Sequence, residues 1–251
     1  MAVIKIKSKD EVELIREAGA IVAEVLDKLS RLAQPGITTE ELDRAGEKLI
    51  RERGANPVFI GYRGYRHATC ISLNHEVVHG IPGKRELKKG DIVSIDVGAQ
   101  KAGYIGDSAV TVPVGKISGK TEKLLRVGKE ALKLAIRQAR AGNHLGDVSA
   151  AIQRVAEKNG FSVVRDLYGH GVGRDLHEDP LIPNYGNPGE GAALKAGMVL
   201  AIEPMLNMGS WKVRTQDDGW TVITEDRSLS CHFEHTVVVT DGDPEVLTKV
   251  K

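Results

Sequence analysis

Aromatic side chains are scarce in this chain, with two Trp, five Tyr and three Phe among 251 residues. Cysteine is scarcer. Cys70 and Cys231 form no CxxC pair and no disulfide framework, which excludes a small disulfide-stapled scaffold and makes a reducing cytoplasm the expected compartment. No apolar run approaches the ~20 residues of a membrane span. Lys5, Lys7, Lys9, Asp10, Glu11 and Glu13 leave the N-terminal stretch without the apolar core of a signal peptide. Net charge is nearly absent too. At +1 it gives no ground for expecting a specific nucleic-acid partner, and the lysines from Lys116 to Lys133 read as a solvated helix face. Hydrophobic content of 41% and charged content of 27% suit an ordinary globular protein, and the length suits one core.

Against these absences stands an internal duplication. LKKGDIVSID (Leu87 to Asp96) returns as LKAGMVLAIE (Leu194 to Glu203), so an acid closes both copies in the same phase. A second acid recurs further on, where Asp107-Ser-Ala-Val-Thr-Val matches Glu234-His-Thr-Val-Val-Val. Upstream, Gly36, Glu41, Leu42, Ala45, Leu49 and Gly54 match Gly142, Asp147, Val148, Ala151, Val155 and Gly160. A period this long is not a solenoid repeat of ~20–50 residues. It implies one domain over 1–251, built of two pseudo-repeats (about 1–115 and 116–251) that face each other.

One acid in a strand is usually solvated. Four acids in phase inside apolar runs are a different matter. Alternation sets Val93, Ile95 and Val97 on one face and Asp96 on the other, as it does Leu200 and Ile202 against Glu203. Carboxylates crowded on a buried face repel one another unless protonated or neutralised by cations, so metal is the economical answer.

Ser8-Lys-Asp-Glu11 is a capping-box pattern and predicts a long first helix, broken at Pro35-Gly36. Thr38-Thr-Glu-Glu41 opens a second helix to about Gly54. Strands joined by loops are predicted over Pro57 to Gly83, then strands at Asp91–Val97 and Asp107–Val114 around a Lys101-Ala-Gly103 turn. Ser118 is read as the cap of a helix to about Arg140, and Asp147 as the cap of another reaching Asn159-Gly160. The remainder reads as strand and loop, ending on Thr236–Val239. The predicted class is α+β, helices covering one face of a largely antiparallel sheet.

Histidine is the natural companion of carboxylates at a transition-metal site. Of eight histidines, His170 lies in YGHGVG, where glycines let the backbone approach a ligand; His79 lies in VVHGIP, and His177 follows His170 by seven residues. With the motifs VVHGIP, VSIDVGAQKAGYIGDSA, GHGVGRDLHEDP, AIEPM and FEHTVVV, nearly the whole chain resembles the type I methionine aminopeptidases. These metallopeptidases have the pita-bread fold: duplicated half-domains with pseudo-two-fold symmetry and a curved, largely antiparallel sheet under helices.

The resemblance implies two divalent ions (Co²⁺, Mn²⁺, Fe²⁺ or Zn²⁺) held by Asp96, Asp107, His170, Glu203 and Glu234, with Asp107 and Glu234 bridging. It implies hydrolysis by a metal-bridging water or hydroxide, with Glu203 as general base and His79 and His177 at the scissile amide. Phe59, Tyr62, Tyr65, Cys70, His79, Leu176, His177 and Trp220 are then expected around the substrate. Phe59 stands where many bacterial relatives carry cysteine, and Leu176 where phenylalanine is common; both changes bear on pocket shape rather than chemistry. Asn74, Glu76 and Ser230 match positions that bind a monovalent cation, Na⁺ or K⁺, largely through backbone carbonyls.

The implied activity is removal of the initiator methionine from peptides and nascent chains, best before a small second residue, by a cytoplasmic monomer with transient ribosome contact. Two other readings compete. A proline-specific aminopeptidase or dipeptidase shares the fold, but such relatives usually carry a separate N-terminal domain. A metal-free binding protein would have lost metal carboxylates, and none is lost.

Overall fold

The computed structural model describes residues 4–249, so the outermost residues of the expected domain fall outside it. In the first half two helices, α1 (Lys9–Leu32) and α2 (Thr39–Glu52), precede strands β1 (Asn56–Pro57), β2 (Thr69–Leu73), β3 (Glu76–Val78), β4 (Ile92–Lys101) and β5 (Tyr104–Pro113). In the second half α3 (Gly119–Gln138) and α4 (Leu145–Lys158) precede β6 (Ser162–Val163), β7 (Tyr168–Gly171), β8 (Glu178–Pro183), β9 (Val199–Ile202), β10 (Met205–Asn207), β11 (Val213–Thr215), β12 (Val222–Thr224), β13 (Ser230–His232), β14 (His235–Val238) and β15 (Glu245–Val246). The predicted α+β order therefore holds. The strands form four hydrogen-bonded groups rather than one ladder, and the pairings within them are antiparallel.

Local chemistry sets the helix starts. Ser8 Oγ accepts from Glu11 N while Glu11 returns a carboxylate to Ser8 N (3.2 and 2.9 Å), and Thr38 and Glu41 repeat the exchange. Two predicted boundaries are corrected. Asp147 is not the cap of α4 but its third residue, its carboxylate reaching back to His144 N at 2.7 Å, so the helix begins earlier. Helix α3 stops at Gln138, because Arg140 leaves to bridge Thr240. Strand β4 outruns its predicted end at Val97 and turns into β5 through Ala102 and Gly103, both at positive φ (49° and 80°). Such paired positive angles match the twist of a tight hairpin.

Helices α1 and α2 cover the β2–β4–β5 strands, burying Val93, Ile95 and Val97 at 0% exposure with Leu29, Leu42 and Ile50. Helices α3 and α4 cover the second half, burying Leu200 and Ile202 with Leu124 and Ile152. Each such fully buried side chain contributes about 1.5–3 kcal/mol. Val110 packs against both cores. Loading the apolar alternates against the helices turns the acid-bearing face the other way.

The halves are sutured along β5. Asp107 N–H donates to Thr236 Oγ1 (3.1 Å), and that hydroxyl donates back to Asp107 O (2.7 Å). Glu234 N–H donates to Ala109 O at 2.9 Å, and Ser108 Oγ to Glu234 O. Thr111 Oγ1 both accepts from His232 N and donates to His232 O, each at 2.8 Å.

Candidate metal centre and adjoining pocket

Register places the acids. Asp96 lies opposite Ala109 and Asp107 opposite Gly98, so the two carboxylates are diagonal neighbours on one face of the β4–β5 hairpin. A Cβ at Gly98 would come within 2.5 Å of Val58 and 2.8 Å of Phe59, so glycine there lets the pocket wall close over the hairpin. In the second half His235 pairs with Ile202 and Phe233 N–H donates to Pro204 O, which brings Glu234 opposite Glu203. His170 lies beside Ala201 on β7. Its Nδ1–H donates to Gly171 O at 2.9 Å, which orients Nε2 toward the acids, 3.7 Å from Glu203 Oε1 and 3.9 Å from Asp107 Oδ2.

All five residues expected to hold metal line one cavity of about 140 Å³. Donor atoms of Asp107, His170 and Glu234 lie within 4.8 Å of one another. Asp96 Oδ1, Asp107 Oδ1 and Glu234 Oε1 are buried without any hydrogen-bond partner. Burial raises all four carboxyls, reinforced by neighbouring acids at Asp107 (to about 8) and at Asp96 and Glu234 (well above the ordinary range), whereas Glu203 rises to about 7 by burial alone with His170 opposing. Four such groups cannot all carry charge in this space without cations.

The pocket's apolar wall is Phe59, Tyr65, Cys70 and Leu176, all buried, with Tyr62 and Trp220 half-buried. Cys70 faces Asp96 across β2–β4. The Tyr65 hydroxyl donates to Thr69 O and Gly80 O (3.0 and 3.2 Å), and its ring meets Trp220 edge-on at 4.9 Å. Asp43 braces the start of β2, accepting from Ala68 N, Thr69 N and Thr69 Oγ1 at 2.8–3.0 Å. His79 takes a left-handed backbone (φ 58°) at the cavity's edge. Gly80 behind it is pressed against β2, where a Cβ would stand 2.3 Å from Ile71 O. Strain at such a position marks a functional constraint. Burial drives the His79 imidazole down to about 4 and the His177 imidazole to about 3, so both are neutral near pH 7.

His177 pairs with the Tyr62 hydroxyl through Nδ1 at 2.6 Å, not with its neighbour Glu178. Glu178 instead turns inward to Lys7 at 2.6 Å. The residues proposed for a monovalent cation also adjoin, since Ser230 N–H donates to Asn74 O at 2.8 Å. Their side chains are engaged elsewhere: Asn74 with Asp91 and Ile92, Glu76 with Arg85 and Leu73 N, Ser230 with Leu206 O. Three cavity residues, Arg63, Val78 and His232, were not among those expected at the site. His232, two residues before Glu234, turns its Nε2 toward the acids, and only that spacing from an acid could have drawn notice to it.

A family model described as metallopeptidase family M24 matches residues 13–241. The chain belongs to metallopeptidase family M24. A Clostridium perfringens protein named methionine aminopeptidase is 52% identical to this M24 chain over 99% of it and 100% of the relative. The crystal structure of a Thermotoga maritima methionine aminopeptidase superposes with TM-score 0.97 at 48% identity, covering 98% of this chain and 100% of that one. A prolidase from Pyrococcus furiosus shares the architecture at TM-score 0.80 and 27% identity, but the match covers only 66% of it. The pita-bread fold expected of the sequence is therefore that of the M24 chain. Family membership implies a divalent metal at its centre, and the orphaned carboxylate oxygens and the oriented His170 fit one.

Proposed function

We propose that this protein removes the N-terminal methionine from peptides and nascent chains, preferentially before a small second residue. The observation that carries the reading is a single cavity in which an aromatic, thiol-lined wall adjoins the acid and imidazole cluster. A cavity near ~150 Å³ takes a benzene-sized group, and a methionine thioether chain is of that order and suits aromatic walls. Because Tyr65 and Cys70 behind the pocket are buried, no chain continues beyond it, which favours a terminal residue.

Asp96, Asp107, His170, Glu203 and Glu234 would hold two divalent ions. When bound, such ions polarise a carbonyl and acidify water. Glu203 takes the proton of the attacking water and delivers it to the leaving amide nitrogen. With Tyr62 donating to Nδ1, His177 keeps its proton on Nε2 and donates it to the developing oxyanion. His79, fixed by its backbone, borders the scissile amide. Phe59, Leu176 and Trp220 exclude water and hold the side chain.

The enzyme acts as one catalytic domain of two pseudo-repeats, about 1–115 and 116–251, each contributing acids to the cavity. We infer a cytoplasmic monomer. Among the described residues no helix is long and apolar enough to cross a membrane. Transient ribosome contact fits the exposed Lys120, Lys123, Arg126 and Lys129 of α3. Backbone carbonyls around Asn74, Glu76 and Ser230 are the groups left to hold Na⁺ or K⁺.

The test is release of the first residue from Met-Ala-Ser, Leu-Ala-Ser and Ala-Pro-Ala by the apo protein and after adding Mn²⁺ or Co²⁺. Metal-dependent cleavage of the methionyl peptide alone is expected. Cleavage of Ala-Pro-Ala would promote a proline-specific activity, and no cleavage with any metal would overturn the enzyme reading.

A further inference from the structure

His232 ends β13 at 2% exposure, and its Nε2 is buried without a hydrogen-bond partner. A buried polar atom left unmatched is costly, so the site is built for something that meets it. The nitrogen stands 3.5 Å from Glu203 Oε2 and 3.9 Å from Glu234 Oε2. His170 approaches from the other side, 3.7 Å from Glu203 Oε1 and 3.9 Å from Asp107 Oδ2. Two imidazoles thus bracket the Glu203 carboxylate, one at each oxygen, with matching spacings. Donors sharing one ion at bonds of about 2.1 Å lie about 3.0–3.4 Å apart, and each imidazole nitrogen stands within a few tenths of an ångström of that spacing from its own oxygen of Glu203.

The backbone of His232 is not free to drift. Its N–H and its carbonyl are both held by the hydroxyl of Thr111, which is fully buried and pairs with Ser94 Oγ at 2.8 Å. Thr111 lies on β5, the strand that carries Asp107, so the imidazole is referenced to the same frame as the acids.

We propose that His232 Nε2 is a second imidazole ligand of the metal centre, on its Glu203–Glu234 side. This rests on the metal-binding reading above and extends the donor set to four carboxylates and two imidazoles. A second nitrogen moves the centre further from Mg²⁺ and toward later first-row ions.

The test is X-ray absorption at the cobalt edge on protein loaded with two equivalents of Co²⁺, counting imidazole scattering per ion, with calorimetric Co²⁺ titration in parallel. Wild type, His170→Gln, His232→Gln and the double variant are compared, with near-ultraviolet circular dichroism confirming native packing. The expected result is one imidazole per ion in wild type, half that in either single variant, and none in the double. If His232→Gln keeps the wild-type signal, or His170→Gln alone abolishes it, His232 is no ligand and only this proposal fails. If wild type takes up no Co²⁺, the metal reading of the cavity falls with it.

Discussion

Lys7 and Glu178 are 171 residues apart in sequence, yet their side chains form an ion pair at 2.6 Å with only 5% and 3% of each exposed. Lys7→Met keeps the aliphatic stem and removes the ammonium. Glu178 would then be a buried carboxylate facing Lys5 at 3.1 Å, which is half exposed, and the Arg174 N–H at 3.2 Å. Breaking a buried pair costs about 3–5 kcal/mol, and the surviving Lys5 contact puts this case at the lower end, about 3 kcal/mol. In a chain of this size a loss of about 1 kcal/mol moves Tm by about 2–4 °C, so a drop of roughly 6–12 °C is expected by calorimetry with metal saturating. Adding Glu178→Gln removes the stranded charge and should recover at least half of the loss.

Burial acts to raise the Glu178 carboxyl, but hydrogen bonds from Lys7 and Lys5 prevail and hold it below its ordinary 4.5. The pair's stabilisation is therefore present above about pH 4.5 and lost as pH falls through the folded value, so the Tm gap between wild type and Lys7→Met should narrow in acid. Because Leu176 and His177 lie in the loop that Glu178 anchors, kcat/KM on a methionyl peptide should also fall, while Co²⁺ uptake stays stoichiometric. A Tm change under about 2 °C, or a double variant no better than the single, would refute the reasoning.

Glu203→Gln should lower kcat by about 10²–10⁴ in metal-saturated stopped assays, the range for losing a general base. His177→Ala should lower kcat by about 10²–10³ with KM little changed, and Tyr62→Phe by less, since it only releases the imidazole orientation. With Asp107 raised to about 8 and Glu203 to about 7, the apo protein holds protons that metal must displace. Loading at pH 7 should release protons, seen as a buffer-dependent binding heat, and affinity should weaken as pH falls below about 8. Apo stability should decline as pH rises from about 4 toward 8, because the unfolded chain ionises these acids first, and metal should cancel that slope. Asp43→Ala strands two buried N–H groups at the head of β2 and should cost about 2–4 kcal/mol in urea unfolding.

The readable part of this molecule was what chemistry keeps local or repeats. Ser8–Glu11 and Thr38–Glu41 announce helix starts within four residues, and duplication separates Asp96, Asp107, Glu203 and Glu234 from the other acids of the chain. Asp147 misled because the same carboxylate can satisfy a helix start from the cap or from the third residue, and only the path of the chain at His144 decides. Pairings such as Lys7 with Glu178 and Asp43 with β2 carry no local pattern, since each partner alone is an ordinary charged residue. His232 stayed hidden for a related reason: a histidine in SCHFEH has no periodic neighbour, and its aim depends on the Thr111 hydroxyl, 121 residues earlier.

The hydrogen bonds that join β5 to the 232–236 segment set a timetable for synthesis. A chain is made from its first residue onward, and the Thr236 hydroxyl that clasps Asp107 emerges 129 residues after it, with Glu234 the last acid of the cluster to appear. Until then Asp96 and Asp107 stand on a hairpin with no opposite wall, and His170 and Glu203 lack the strand that closes on them. A nascent or prematurely terminated copy is therefore inert toward the very class of chain ends it is made to trim. Competence arrives in one step, when β14 seats.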